Sequence, residues 1–161
     1  MSAMTMKVSY HIDAPVKTVF DYFMDPANDA GAPGYEVLEA KMTKEGVGTY
    51  VNWRIKIAGV PGPQGFEVVT GYQPNKHITE KSSSAIVGNW DYSFEREGTG
   101  TKVTLEHRSR ALWGVPPLRN MIDFGTTRMS RLYIDRVKAR LETQPVVEKP
   151  KPAPRTRKAA S

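Results

Sequence analysis

From Tyr35 to Arg108 the chain keeps a period of two, and so long a run of half-buried strand pattern admits few folds. Val51, Trp53, Ile55 and Ile57 share one face, opposite Asn52, Arg54 and Lys56, and Phe66 and Val68 begin the next strand. Trp90, Tyr92 and Phe94 alternate with Asn89, Asp91, Ser93 and Glu95; Val103, Leu105 and His107 alternate with Lys102, Thr104 and Glu106. Six strands with short connections make an antiparallel meander. Strand direction then sorts the connections. The polar turns at 44–48, 73–76 and 97–100 fall at one end of the sheet, and the apolar segments at 57–63, 84–87 and 111–117 fall at the other. Loops in water are not normally this apolar, so that end is predicted to admit an apolar ligand.

The flanks complete the fold. Val8, Tyr10 and Ile12 alternate with Lys7, Ser9 and His11 as a first strand. Asp13-Ala14-Pro15 then supplies a cap-like carboxylate and a first-turn proline for a helix whose Val16, Val19, Phe20 and Phe23 recur at helical spacing. Asp25-Pro26 ends it and opens a second short helix, which the cluster at 29–34 terminates. After Pro116-Pro117 a long helix carries the stripe Leu118, Met121, Ile122, Gly125, Met129, Leu132, Val137 and Leu141. Its other face is basic toward the C-terminal half, which suits the helix dipole. Gly125 in mid-helix marks a bend, a packing notch, or room for something beside the helix.

Length bounds the chain to one domain and a tail: residues 1–144 form the domain and 145–161 a basic, proline-rich tail read as disordered. The net charge of +6 invites a nucleic-acid reading, but Lys149, Lys151, Arg155, Arg157 and Lys158 against Glu148 place most of it in the tail. The folded part is nearly balanced, and no specific nucleic-acid partner is expected. With no cysteine, disulfides, thiolate catalysis and Cys-based zinc sites are excluded. Neither a secretion signal nor a span of roughly 20 apolar residues is visible, so a cytoplasmic location is expected.

The opening Ile12-Asp13-Ala14-Pro15-Val16-Lys17-Thr18-Val19-Phe20, followed by Asp25-Pro26, resembles the START/Bet v 1-like (SRPBCC) superfamily, particularly its polyketide cyclase/dehydrase and lipid-transport branch. The turn Gly46-Val47-Gly48, the strand entry Pro74-Asn75-Lys76-His77-Ile78, and Gly98-Thr99-Gly100-Thr101 after Trp90 agree in order and spacing. The resemblance covers about residues 6 to 143. It implies an α+β helix-grip fold: a curved antiparallel sheet of about seven strands around a long C-terminal helix, with two short helices between strands one and two. Where many members place a tryptophan between prolines after Asp25-Pro26, this chain has Gly31-Ala32-Pro33-Gly34-Tyr35, so its lid is looser or shaped for another ligand. These landmarks are turns, caps and core positions, and no catalytic residue carries over.

No nucleophile elbow or close-spaced metal-ligand set is present: Ser82-Ser83-Ser84 reads as a hairpin loop, and His11, His77 and His107 fall on separate strands. Neither metal nor cofactor is expected. The leading reading is a carrier for a lipid, isoprenoid or polyketide-like molecule between sheet and C-terminal helix. Its cavity would draw on Trp53, Ile55, Phe66, Val68, Trp90, Tyr92, Phe94, Leu105, His107, Met121, Ile122, Gly125 and Met129, gated by Val60, Ile86 and Trp113. Trp113 also suits a transient membrane-surface contact or simple packing. Two other readings stay open. One is a cyclase or dehydratase using His107 with Tyr92 or Asp91 as acid and base; the other is a protein-partner module using the apolar loop end. Arg54 and Glu67 on adjacent strands form either an exterior ion pair or the polar end of a cavity, and the bulky apolar residues of those strands favour the exterior. The sequence leaves the oligomeric state open.

Overall fold

The alternation of β1 (Met4–Ile12) turns Val8, Tyr10 and Ile12 toward the core, and the strand lies antiparallel beside the last strand of the sheet. The structure, a computed structural model, describes residues 4–30, 34–57, 59–83, 86–111 and 116–143. The tail at 145–161 lies outside the described residues. β1 runs into α1 (Val16–Met24), but the expected cap is not made. Pro15 occupies the N-cap without a side-chain hydrogen bond, and the Asp13 carboxylate accepts instead from the Thr99 hydroxyl at 3.3 Å. Extended backbone at Pro15 (ψ 145°) starts the helix, and the buried Thr101 hydroxyl anchors that entry by donating to the Ala14 carbonyl at 2.7 Å. Asp25 does act as a cap. Its side chain accepts from the Ala27 N–H at 3.0 Å and opens Pro26–Asp29, which is a single 3-10 turn rather than an α-helix.

The meander follows as β2 (Tyr35–Lys41), β3 (Tyr50–Ile57), β4 (Val60–Gln73), β5 (His77–Ser83), β6 (Ile86–Glu97) and β7 (Gly100–Ala111). The seven strands are antiparallel in the order β1-β7-β6-β5-β4-β3-β2. Register shifts between Val37 and Glu39, Arg54 and Lys56, and Val69 and Gly71 place bulges in β2, β3 and β4, where an extra residue bends a strand. The polar turns do share one end of the sheet, as antiparallel pairing requires. The opposite end differs from expectation: β4 starts at Val60 and β5 runs to Ser83, so the apolar segment at 57–63 and Ser82-Ser83 are largely strand. Pairing satisfies the backbone groups of these segments and turns their apolar residues into sheet surface.

The 27-residue α2 (Pro116–Glu142) closes the fold. In its described half, Ile134 and Val137 are fully buried and Ser130 nearly so, and Leu141 packs against the core. The buried stripe therefore centres on Ile134, which sequence periodicity passed over, while Leu132 is 38% exposed. α1 packs on the same face through Phe20 and Phe23, each 5.4 Å from the Phe94 ring and edge-on to it. Among the described residues no helix is long and apolar enough to cross a membrane.

Candidate functional site

Cross-strand partners share a face of the sheet, so the register reads the concave wall in rows. One row is Ile78, Tyr92, Leu105 and Val8. The next is Val69, Glu80, Trp90, His107 and Met6, and the one beyond joins Val51, Glu67, Ser82, Gly88 and Ser109. Two glutamates thus stand in an apolar and aromatic wall, on neighbouring strands. The 3-10 turn brings Asp29 over the same wall, and α2 supplies Met129, Ser130, Leu132 and Tyr133 from the other side. Together with Phe23, Tyr35, Glu67, Glu80, Trp90, Tyr92 and Leu105 they line a partly open cavity of about 150 Å³ between sheet and helix. Phe23 and the three carboxylates also bound a second pocket of about 20 Å³ that reaches Thr49 and Tyr50. The acids therefore form the partition between the two spaces.

Removal from water disfavours a charged carboxylate, and these three show it. Burial pushes Asp29 up to about 6, opposed by the Tyr133 hydroxyl and the Arg136 guanidinium. Burial also raises Glu67, strengthened by the Asp29 charge and opposed by the Trp90 indole N–H and the Ser82 hydroxyl. Glu80 is raised well above the ordinary range by burial and then by the charges of Glu67 and Asp29, with the Tyr92 hydroxyl opposing. The same burial holds Tyr35, Tyr92 and Tyr133 protonated. The wall thus presents phenol donors and carboxyl groups pushed toward their neutral forms.

His107 behaves differently from its sequence reading. Its ring stacks on Trp90 at 4.0 Å between centroids and 15° between planes, only 7% exposed, and it is not among the residues lining the cavity. Burial lowers it to about 4, so it is neutral near pH 7 instead of shuttling protons there. The stack depends on Gly88, where an added Cβ would sit 2.5 Å from His107 Nε2 and 2.9 Å from the Arg108 carbonyl oxygen.

Of the residues anticipated to line the cavity, Trp90, Tyr92, Leu105 and Met129 do so. Phe94 is in the core under α1, and Trp53 is buried beside Tyr35, ring centroids 5.5 Å apart, outside the lining set, as is half-buried Ile55 at a bulge. Phe66 and Val68 require correction. They pair with Asn52 and Tyr50 while Glu67 pairs with Val51, so β4 turns its glutamate inward and leaves Phe66 43% exposed on the convex face. The exterior Arg54–Glu67 pair is not made: Arg54 lies 3.9 Å from Glu36 on the outer face. Asp91 is also outside, 3.3 Å from both His77 Nε2 and the Thr79 hydroxyl, and cannot join Tyr92 or His107 through the sheet. Val60 is 63% exposed at the start of β4. The side chains of Met121, Ile122 and Ile86, the surroundings of Gly125, and all of Trp113 lie outside the described residues.

Asp29, Tyr35, Glu80 and Tyr133 were not singled out from sequence. Glu80 carried a usable signal, since Ile78, Glu80 and Ser82 keep period two with an apolar first member. Asp29 carried none, because its place over the sheet depends on the path of the 3-10 turn.

The backbone arrangement recurs widely among solved structures. TTHA0849, a protein of Thermus thermophilus, superposes with a TM-score of 0.72 at 16% identity, over 86% of this chain and 97% of that one. Ara h 8.0201 gives 0.65 at 8% identity, over 89% and 100%. The di-domain ARO/CYC BexL from the BE-7585A biosynthetic pathway gives 0.68 at 20% identity over 89% of this chain, which spans about half (51%) of that chain. At these identities the likeness is one of fold, the Bet v 1-like helix grip. No curated protein matches the chain in sequence. The family model described as polyketide cyclase/dehydrase and lipid transport matches residues 3–142, nearly the whole folded part, and this chain belongs to that family.

Proposed function

We propose that this protein is a binding or carrier protein that encloses a hydrophobic small molecule between its sheet and α2. The observation that carries the reading is the cavity of about 150 Å³, walled by Phe23, Trp90, Tyr92, Leu105 and Met129, with its three carboxyl groups gathered at one partition. Apolar walls supply affinity by desolvation, at roughly 25 cal/mol per Å² of apolar surface removed from water. A few placed polar groups fix orientation. Glu67, Glu80 and Tyr92 take that part here, and His107 acts indirectly by backing Trp90. The hairpin end near Val60 is the proposed entrance, the role that sequence reasoning also suggests for Ile86 and Trp113.

Native mass spectrometry of gently purified protein, followed by denaturing extraction, tests this reading. A stoichiometric apolar adduct is expected. Repeated recovery of ligand-free protein that also takes up no apolar probe would refute it.

A second reading has an observation in its favour: a carboxyl that burial raises well above its ordinary range, beside a tyrosine hydroxyl, is the environment of a general acid. In that reading Glu80 and Tyr92, not His107 and Asp91, would move a proton on a bound polyketide-like substrate. Turnover of such a substrate that survives Glu80→Gln would remove it.

A further inference from the structure

Among the described residues, Glu67 and Glu80 at the partition have no counter-ion. Among the described ion pairs none involves Asp29, Glu67 or Glu80, and among the described residues no lysine or arginine lines the cavity. Arg136 approaches Asp29 from α2, but its Nη2 donates to the Ala30 carbonyl at 2.5 Å and it does not line the cavity; among the described residues Glu67 and Glu80 meet the hydroxyl and indole donors of Ser82, Tyr92 and Trp90. The rest of the wall is aromatic. Tyr35, Trp90, Tyr92, Tyr133 and Phe23 face the same space, and Trp90 and Tyr92 stack on each other at 6.2 Å and 20°. Ring faces are negative and attract cations, more strongly where water is excluded.

These two features are independent, and they select the same ligand chemistry. Acceptors without cations favour a ligand that brings its own positive charge. The ring faces exclude a strongly hydrated ion and suit one whose charge sits on an organic frame. A bare metal ion fits poorly, since among the described residues no three histidine or carboxylate side chains converge as a ligand set. An anion or a fatty-acid carboxylate would further disfavour ionisation of these two groups, whereas an ammonium favours their charged form. Resting on the proposed carrier reading, we infer that the ligand is a lipophilic amine, its ammonium between Glu67 and Glu80 and its apolar part against Trp90, Tyr92 and Leu105.

A ranking of three probes that share a phenethyl group, by isothermal titration calorimetry at about pH 8, tests this: phenethylamine (cationic), phenethyl alcohol (neutral) and hydrocinnamate (anionic). Phenethylamine is expected to bind about 10-fold or more tightly than the alcohol, because hydrogen bonds to a charged donor are roughly twice as strong as neutral ones, and hydrocinnamate is expected to bind weakest. In Glu67→Gln/Glu80→Gln the ratio of amine to alcohol affinity is expected to collapse toward one. If alcohol or carboxylate matches the amine, the amine inference falls and the carrier reading stands. Failure of all three to bind overturns both. A double variant that keeps the full amine preference would move the charge recognition away from these residues; if it does not fold, the ranking on the natural chain decides alone.

Discussion

His107 provides the sharpest test of how burial governs this wall. Its ring is 7% exposed, stacked on Trp90, and its folded-state value is about 4 against 6.5 for the free side chain. The sign follows from proton binding. Between pH 6.5 and about 4 the unfolded chain takes up a proton at His107 that the folded chain refuses, so stability contributed by this site is full above 6.5 and is lost as pH falls. A depression of that size corresponds to about 3 kcal/mol, a large share of a typical domain's roughly 5–15 kcal/mol. The perturbation is His107→Phe, which keeps a flat ring against Trp90 and removes the titration. Urea unfolding of both proteins in steps from about pH 7 to about pH 4 isolates the residue, since every other titration cancels in the difference. The natural protein is expected to lose about 3 kcal/mol more than the variant over that range. Parallel stability curves would refute the reasoning, and a natural protein that gains on acidification relative to the variant would mean that the fold holds His107 charged.

Asp29 should show the opposite slope. Raised from 3.8 to about 6, it keeps its proton in the fold while the unfolded chain releases it, so stability falls as pH rises through that interval; Asp29→Asn should gain up to about 3 kcal/mol on the natural protein between about pH 4 and 7, and a pH-independent difference would contradict this. Gly88→Ala should destabilise by about 1–3 kcal/mol and alter the near-UV circular dichroism, because its Cβ meets both the His107 ring and a ladder carbonyl; an unchanged spectrum and melting temperature would count against the stack. Ile134→Ala empties a fully buried site and should cost about 2–5 kcal/mol, whereas Leu38→Ala at an exposed bulge should cost less than about 0.5 kcal/mol; equal losses in thermal melts would displace the core from where we place it.

Periodicity, turns and prolines determined the elements and their order, because they act over a few neighbouring residues. The alternation in β1, β3, β6 and β7, the Val19-Phe20-Phe23 face of α1 and the proline entry to α2 were all legible. Strand order followed from chain direction once the connections were short. Facing in β4 was not legible. In Phe66-Glu67-Val68-Val69 either parity buries an apolar residue, and the choice was made by the pairing of Glu67 with Val51 and Ser82 and by the bulge after Val69. The acids of the cavity come from the 3-10 turn, β4 and β5, and nothing local marks them as neighbours. A charged residue in a strand reads as exterior because burying it alone is costly. Only the tertiary structure decided that three such residues line one cavity, because register and chain path are set by packing across the whole sheet and not by any segment of it.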